Sequence, residues 1–559
     1  MRVFDCMLFT GDVAALAIRL RELDAVVDTF VVAEATRTAG GDPKPLQLRA
    51  HWPRFADFHR KIRYVVVADE PPDLMNPRER ERFQWNSLAR GLLDADDADW
   101  ILVSEPTAIP RAAVIDGLRS HAPGVLALEL SHRPPAPDDR PETEGRPSAV
   151  GIVALPFRDL GAGIDAVRAG VGDGTIPAER RAGGGRLVSG LPPDVAGAPP
   201  PQGPVIICPY VREADRDRVV AAFGLDADRG RTLPFHLWRD TELIGPERAF
   251  ERCWNAFPGR DVIIVHSDMR PLPEDCGNTW YDRLVAAAEA LPDAGLIACD
   301  LLYPVRHPSG AWYVQCAGGM IEDGIVAHIG GFVDVAAGTA TAEATLYDER
   351  FAQVRRVDWA TFGGVYIRRE VIDMIGGFDP DYRWAYVMDV DYSLEATLRG
   401  ARLYQVPVNL LHEENGSTRD FLHDPARLEK IAFNQKHFHA KWFGRMARLT
   451  AHHVEAHASF GAADARGARR AAMLLAEAEA RGAEFERAAF ARALACPEPG
   501  AVTEADVGRA YALILGRAVD PAGAAWWGEQ IAAGPVPVEE VVQALCGSDE
   551  YAALGSPGA

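Results

Sequence analysis

Three short clusters in the middle of this chain hold residue types that bind cations and move protons. The apolar run Val262 to Val265 ends in His266-Ser267-Asp268. Asp268 therefore stands at a strand end, its carboxylate free to meet a metal-bound anion; the competing reading is an aspartate that merely forms the turn after a strand. Farther on, Met388-Asp389-Val390-Asp391 opens a helix whose apolar positions Leu394 and Leu398 face inward. The helix dipole favours an acid in the first turn, so stability alone explains one of Asp389 and Asp391, and the second is left for chemistry such as proton abstraction. After the apolar run ending at Leu411, His412-Glu413-Glu414 leads into Asn415-Gly416-Ser417. His412 is either a third metal contact or an ordinary surface histidine.

These clusters need a scaffold that brings strand ends together. Apolar segments at 204–210, 260–269, 294–304 and 401–412, with the Gly363-Gly364-Val365-Tyr366-Ile367 turn-and-strand, predict an α/β sheet, in which ligands sit beyond the carboxyl ends of strands. A separate alternation of strands and amphipathic helices occupies the first part of the chain, with strands at 27–35, 61–70 and 100–105. The Gly- and Pro-rich stretch Gly183 to Pro204 reads as the linker between the two. From Phe438 the pattern is helical and rich in Ala and Arg. The final segment carries helix caps at Thr503 with Asp506, at Asp520-Pro521 and at Ser548, and Tyr511, Ile514, Leu515, Trp526 and Trp527 would form its core.

A chain of 559 residues predicts about three separately packed cores. Its formal charge of -21 excludes non-specific binding to nucleic acid or anionic lipid, and repels anionic substrates unless a divalent cation accompanies them. The eight cysteines show no C-x-x-C spacing and read as buried free thiols. The chain has neither a leader-like start nor an apolar run long enough to span a membrane, so the expected location is the cytoplasm, with peripheral association at the inner membrane compatible.

Two resemblances emerge from these motifs. The middle segment resembles glycosyltransferase family 2 enzymes of the GT-A fold, similar to rhamnosyltransferases and O-antigen transferases, in the order HSD (266–268), GGVYIRRE (363–370), GGFD (376–379), MDVD (388–391) and HEENGS (412–417). The resemblance implies that Asp268 binds the metal, with His266 in place of the usual first acid. It further implies that Asp389 is the general base, that Asp391 supports the helix start, and that His412 completes the metal site or holds the diphosphate. A donor pocket is expected from Tyr210, Arg212 and Glu213 after the first strand and from Asn255 in the following helix. Asp240 either bonds the base or caps a turn. On the acceptor side stand Gly363 and Gly364, and Trp359 and Trp384 either stack on a sugar or fill a core or seam.

Residues 1–120 resemble glycosyltransferase family 17 through RVFDCMLFTGD, VVAEATRT with Glu34, KIRYVVVADE and ERFQWNSLARGL. Where that family reads S-D-x-D-E-I-P, this chain has Ser104-Glu105-Pro106-Thr107-Ala108-Ile109-Pro110, so one carboxylate, Glu105, and Thr107 replace a set of acids. A hard cation needs several oxygen ligands, so this site is expected to be degenerate. AYALILGRAVDPAGAAWWGEQIAAG resembles domain of unknown function 4214 and would bind a protein partner.

The resulting expectation is an α/β protein of two GT-A-like nucleotide-sugar transferase domains followed by a small all-α module. Its parts would be 1–190, a linker at 191–203, the catalytic 204–440, a helical spacer at 441–498 and the module at 499–556. The expected activity is inverting transfer, assisted by Mn²⁺ or Mg²⁺, from a UDP-, GDP- or dTDP-linked sugar to a glycan or lipid-linked acceptor. A carbohydrate-binding scaffold of degenerate folds, or a transferase with both domains active, are the alternatives.

Overall fold

The structure, a computed structural model, describes residues 1–71, 76–120, 124–131, 150–160, 179–187, 203–225, 233–275, 277–322, 325–331, 333–334, 339–340, 344–413, 425–450 and 519–533, with isolated positions elsewhere. Two sheets carry it.

The first sheet has the order β3-β2-β1-β4-β7-β6-β8-β5. Its strands are β1 (Val3–Leu8), β2 (Thr29–Ala35), β3 (Ile62–Val67), β4 (Trp100–Ser104), β5 (Ala108–Pro110), β6 (Leu126–Ser131), β7 (Val150–Pro156) and β8 (Glu179–Leu187). The four strands β3-β2-β1-β4 are parallel and buried along their whole length, which is why they read as unbroken apolar runs. Alternate residues serve opposite faces: Val3 and Met7 join one core, Phe4, Cys6 and Leu8 the other. The structure corrects the linker at its start. Gly183 to Leu187 belong to β8, which runs between β6 and β5. Sheet pairing on both sides overrides the low strand preference of the three glycines. Residues 188–202 lie outside the described residues.

The second sheet has the order β10-β9-β11-β20-β13-β21-β12, with β14 on β13 and β19 on β21. Its strands are β9 (Val205–Tyr210), β10 (Phe235–Arg239), β11 (Val262–Ile264), β12 (Met269–Pro271), β13 (Ala294–Arg306), β14 (Trp312–Cys316), β19 (Arg355–Arg356), β20 (Val365–Ile367) and β21 (Arg402–His412). Two small hairpins, β15 (Gly319–Glu322) with β16 (Ile325–His328) and β17 (Val333–Asp334) with β18 (Thr339–Ala340), lie beside it. The helix Pro425–Thr450 runs straight through position 440, where the sequence placed a boundary. Farther along, Asp520 caps the helix Pro521–Ala533 by accepting from Gly523 N–H at 2.9 Å. Trp527 is buried there, whereas Trp526 is 49 % exposed and no part of a core. The predicted caps at Thr503 with Asp506 and at Ser548 lie outside the described residues, as do Ile514 and Leu515. Five cysteines, Cys6, Cys208, Cys253, Cys299 and Cys316, are buried free thiols.

The two sheets meet in a polar seam. Arg49 bonds Glu370 and the carbonyl of Pro292, Trp52 Nε1 donates to Asp373 at 3.1 Å, and Arg402 bonds Asp69. Burial alone would raise the Glu370 carboxyl, but Arg49 and Arg368 outweigh it and hold it below its ordinary value. Arg49→Met strands that carboxylate. We expect a loss of about 3 kcal/mol in thermal unfolding, partly recovered when Glu370→Gln is added.

Candidate active site

The sheet register assembles the first cluster. β12 pairs antiparallel with β21 so that Met269 faces His412, which sets His412 beside the residue before Met269. His412 Nε2 lies 3.2 Å from Asp268 Oδ1, and ligand atoms of His266, Asp268 and His412 all fall within 4.8 Å of one another. His412 Nδ1 stands 2.6 Å from Gln315 Oε1 and so donates to it. With Nδ1 carrying that hydrogen, Nε2 of a neutral ring meets the Asp268 carboxylate acceptor to acceptor, and a positive charge must lie between them. The ring of His266 stacks on Phe250 at 5.5 Å, and its Nε2 is shielded from water without a hydrogen-bond partner. Burial, with His412 beside it, pushes this imidazole down to about 4, so its ring is neutral at pH 7. Two imidazoles, one with an orphaned buried nitrogen, and a carboxylate whose ligand atoms lie this close together fit a divalent cation. Gln315 orients His412 from behind, so Gln315→Leu is expected to weaken Mn²⁺ affinity by about 10- to 100-fold, measurable by calorimetry.

The second cluster sits across a single turn. Asp389, in the first turn of the helix Met388–Leu398, is held by the N–H groups of Val390 and Phe362. Gly363 follows Phe362, and a Cβ on it would lie 3.9 Å from His266 Cε1. Base and cation candidates therefore share the Phe362-Gly363-Gly364 turn, where Gly364 has φ +68 and a Cβ would stand 3.0 Å from Leu410 and 3.2 Å from Cys299. Burial raises the Asp389 carboxyl to about 6. The loop ahead of it is strained: Trp384, Tyr386 and Val387 have φ of 68, 75 and 57. Non-glycine residues persist there only where the surroundings impose it, as at functional sites. Asn434 ties the loop by donating to the carbonyls of Arg383 and Ala385.

Several expected residues do not join this site. Asp391 is buried and accepts from Tyr382 Oη at 3.0 Å, Trp442 Nε1 at 2.6 Å and Lys441 Nζ, so it fastens its helix to Pro425–Thr450 and is no catalytic acid. Asn255 ends the ten-residue helix Pro246–Asn255, whose opposite end meets Trp384, about 13 Å away at 1.5 Å per residue. Trp359 lies over Gly319 and donates to the carbonyl of Met320, so its ring fills a seam and offers no stacking face. Arg212 is engaged with Asp215, and Glu213 with Arg216 and Arg239, on the surface beyond β9. Asp240 accepts from Glu242 N–H at 3.2 Å, a turn cap, while its own N–H donates to Tyr210 O, which keeps both at the carboxyl ends of β9 and β10. Trp384 stands in the strained loop beside Asp389. Residues 414–424, including Asn415 to Ser417, lie outside the described residues. Sequence reasoning passed over Gln315, Phe250 and Glu247, which no motif marks.

In the first sheet, Glu34 is fully buried. It accepts from Gln47 and Leu48 N–H and from Tyr64 Oη, and so caps the helix that carries Arg49 into the seam. The Ser104–Ala108 turn is locked from beneath: Arg19, paired with Asp5, donates to Ser104 Oγ and to the carbonyls of Glu105 and Ala108. Burial raises the exposed-edge carboxyl of Glu105 despite Arg168, and Thr107 adds no charge. No cation cluster forms there among the described residues.

Residues 1–133 match the family profile described as Glycosyltransferase family 17, and residues 490–554 match Domain of unknown function DUF4214. No curated protein matches the chain. Among solved structures, that of GalNAc-T7 with UDP, GalNAc and Mn²⁺ aligns at 12 % identity and TM-score 0.30, over 50 % of this chain and 55 % of that one. The chain thus spans about half the length of that protein. The mannosyltransferase PcManGT from Pyrobaculum calidifontis, in complex with GDP-Man and Mn²⁺, aligns at 16 % identity and TM-score 0.24, over 62 % and 81 %. A197 from STIV aligns at 11 % identity and TM-score 0.22, over 37 % and 83 %.

Proposed function

We propose that the middle segment is a GT-A-like, metal-assisted, inverting glycosyltransferase acting in the cytoplasm from a nucleotide-sugar donor on a cell-surface glycan or lipid-linked acceptor. One observation carries the reading: the His266–Asp268–His412 group and Asp389 flank a single turn, an arrangement that suits a diphosphate on one side of an anomeric carbon and an acceptor hydroxyl on the other. The match of residues 1–133 to a glycosyltransferase family supports the same reaction class.

Asp389 takes the proton of the acceptor hydroxyl as the oxygen attacks the anomeric carbon. The bond to the nucleoside diphosphate breaks on the opposite face, inverting the centre. His266, Asp268 and His412 would hold a divalent cation, which when bound neutralises the charge of the departing diphosphate. Two imidazoles and one carboxylate suit Mn²⁺ better than Mg²⁺, which prefers oxygen ligands. Tyr210 and Asp240 line the nucleotide end, Trp384 the acceptor end, and Asp391 fixes the helix that presents the base. The first sheet, its acids converted to a helix cap and a locked turn, acts as a support for the second.

Donor hydrolysis with Mn²⁺ or Mg²⁺ across UDP, GDP and dTDP sugars tests this. Turnover of one donor, stronger with Mn²⁺, is the expected result; absence of both hydrolysis and metal-dependent nucleotide binding would leave the binding-scaffold alternative standing.

A further inference from the structure

The helix Pro246–Asn255 has no part in the chemistry proposed above, yet its first turn is wedged into the site. Gly245, with φ +94, lies so close to the Trp384 loop that a Cβ would stand 2.8 Å from the Trp384 carbonyl oxygen. One turn along, Phe250 stacks on His266 at an interplanar angle of 11°. Glu247 precedes Phe250 by three residues and so shares its side of the helix, and its carboxyl lies close enough to Asp389 to feel that charge.

That carboxyl takes a hydrogen bond from its own backbone N–H, but its second oxygen is unexplained. Its Oε2 is shielded from water and has no hydrogen-bond partner. Arg248 beside it turns away to Glu251 and to the carbonyls of Phe378 and Asp379. Burial first, and then the charge of Asp389, push the Glu247 carboxyl up to about 8. A first-turn acid is ordinarily justified by the helix dipole, but that argument needs the ionised form, and a neutral carboxyl gains little from it. A neutral carboxyl is instead both an O–H donor and a carbonyl acceptor, the pair of functions that grips an alcohol. Buried polar groups are rarely left unmatched, and this oxygen is suited to a hydroxyl from outside the chain.

We propose that Glu247 recognises the transferred sugar, hydrogen-bonding a ring hydroxyl of the nucleotide-sugar donor seated between Asp389 and the His266–Asp268–His412 group. The assignment rests on the transferase reading of that site. It makes Glu247 a specificity-determining residue that touches the sugar and not the nucleotide.

The test uses the full chain with Mn²⁺ and calorimetric titration of UDP, GDP and dTDP, each against UDP-glucose, GDP-mannose and dTDP-rhamnose. Glu247→Ala should leave the affinity for the bare nucleotide within about twofold and lower that for the bound nucleotide sugar by about 5- to 30-fold, the worth of a buried hydrogen bond or two. Glu247→Gln, which keeps one donor and one acceptor, should recover most of the loss. Equal losses for nucleotide and nucleotide sugar, or no loss for either, would overturn the assignment while leaving the transferase reading intact. If wild type binds none of the six ligands, the transferase reading itself fails and this assignment falls with it.

Discussion

Asp389→Asn should lower kcat for sugar transfer by about 10²- to 10⁴-fold, the range contributed by a positioned general base, with donor affinity little changed. The geometry explains both halves of that outcome. Asp389 is held by the N–H of Val390 at the helix start and by that of Phe362, across one turn from the cation candidates, so on the proposed reading it meets the acceptor hydroxyl and not the diphosphate. Its carboxyl is raised from 3.8 to about 6 by burial, and only the ionised form accepts a proton. The rate should therefore fall about tenfold per pH unit below about 6 and level off above it. Stability should move in the other direction. A group whose folded pKa lies above its unfolded one stabilises the fold most when protonated, and that contribution is lost as pH rises through about 6. At pH 8 the asparagine variant, which carries no charge to bury, should thus be more stable than wild type by about 1–3 kcal/mol. A residue that merely supported its helix would lose activity and stability together. Loss of turnover with a gain in melting temperature marks a group kept for chemistry at the expense of the fold.

Where the sequence was legible, a local pattern and a global demand coincided. The strands of both sheets showed as apolar runs because burial on both faces leaves no polar alternation to blur them. Asp268 and His412 could be paired from afar because each ends such a run, and the β12–β21 register does the rest. Asp389 and Asp391 hold equivalent helical positions, both acids in one first turn, and only the family resemblance gave them different roles; the hydrogen bonds from Tyr382, Lys441 and Trp442, the last two fifty and more residues downstream, make Asp391 the anchor. Glu247 and Gln315 were invisible for the same reason, since the first reads as a dipole partner and the second as an ordinary strand residue. The glycines of β8 misled because strand preference is weak beside pairing on both edges. The seam was hidden altogether: Arg49 and Glu370 are 321 residues apart. Glu34 has a structural part that its motif did not reveal: it caps the helix that delivers Arg49 to its partner.

Asp268→Ala should lower Mn²⁺ affinity by about 10²-fold or more, beyond the 10- to 100-fold expected for the outer residue Gln315, and with it the metal-dependent turnover of any donor. Asp268 is the sole anionic member of the three, so its removal leaves two imidazoles that bring orientation but no charge. The chain as a whole carries -21, and a nucleoside diphosphate approaching it needs a neutralising cation held in place. Titrating Mn²⁺ against wild type, Asp268→Ala and His412→Ala, with UDP or GDP present at saturation, separates the contributions. The expected order of weakening is Asp268→Ala beyond His412→Ala, because the carboxylate supplies charge as well as a lone pair. Nucleotide affinity measured without metal should be the same in all three proteins. If Asp268→Ala bound Mn²⁺ as wild type does, the convergence of the three side chains would be an ordinary buried ion pair between Asp268 and a protonated His412, and the transferase reading would lose its anchor at the diphosphate.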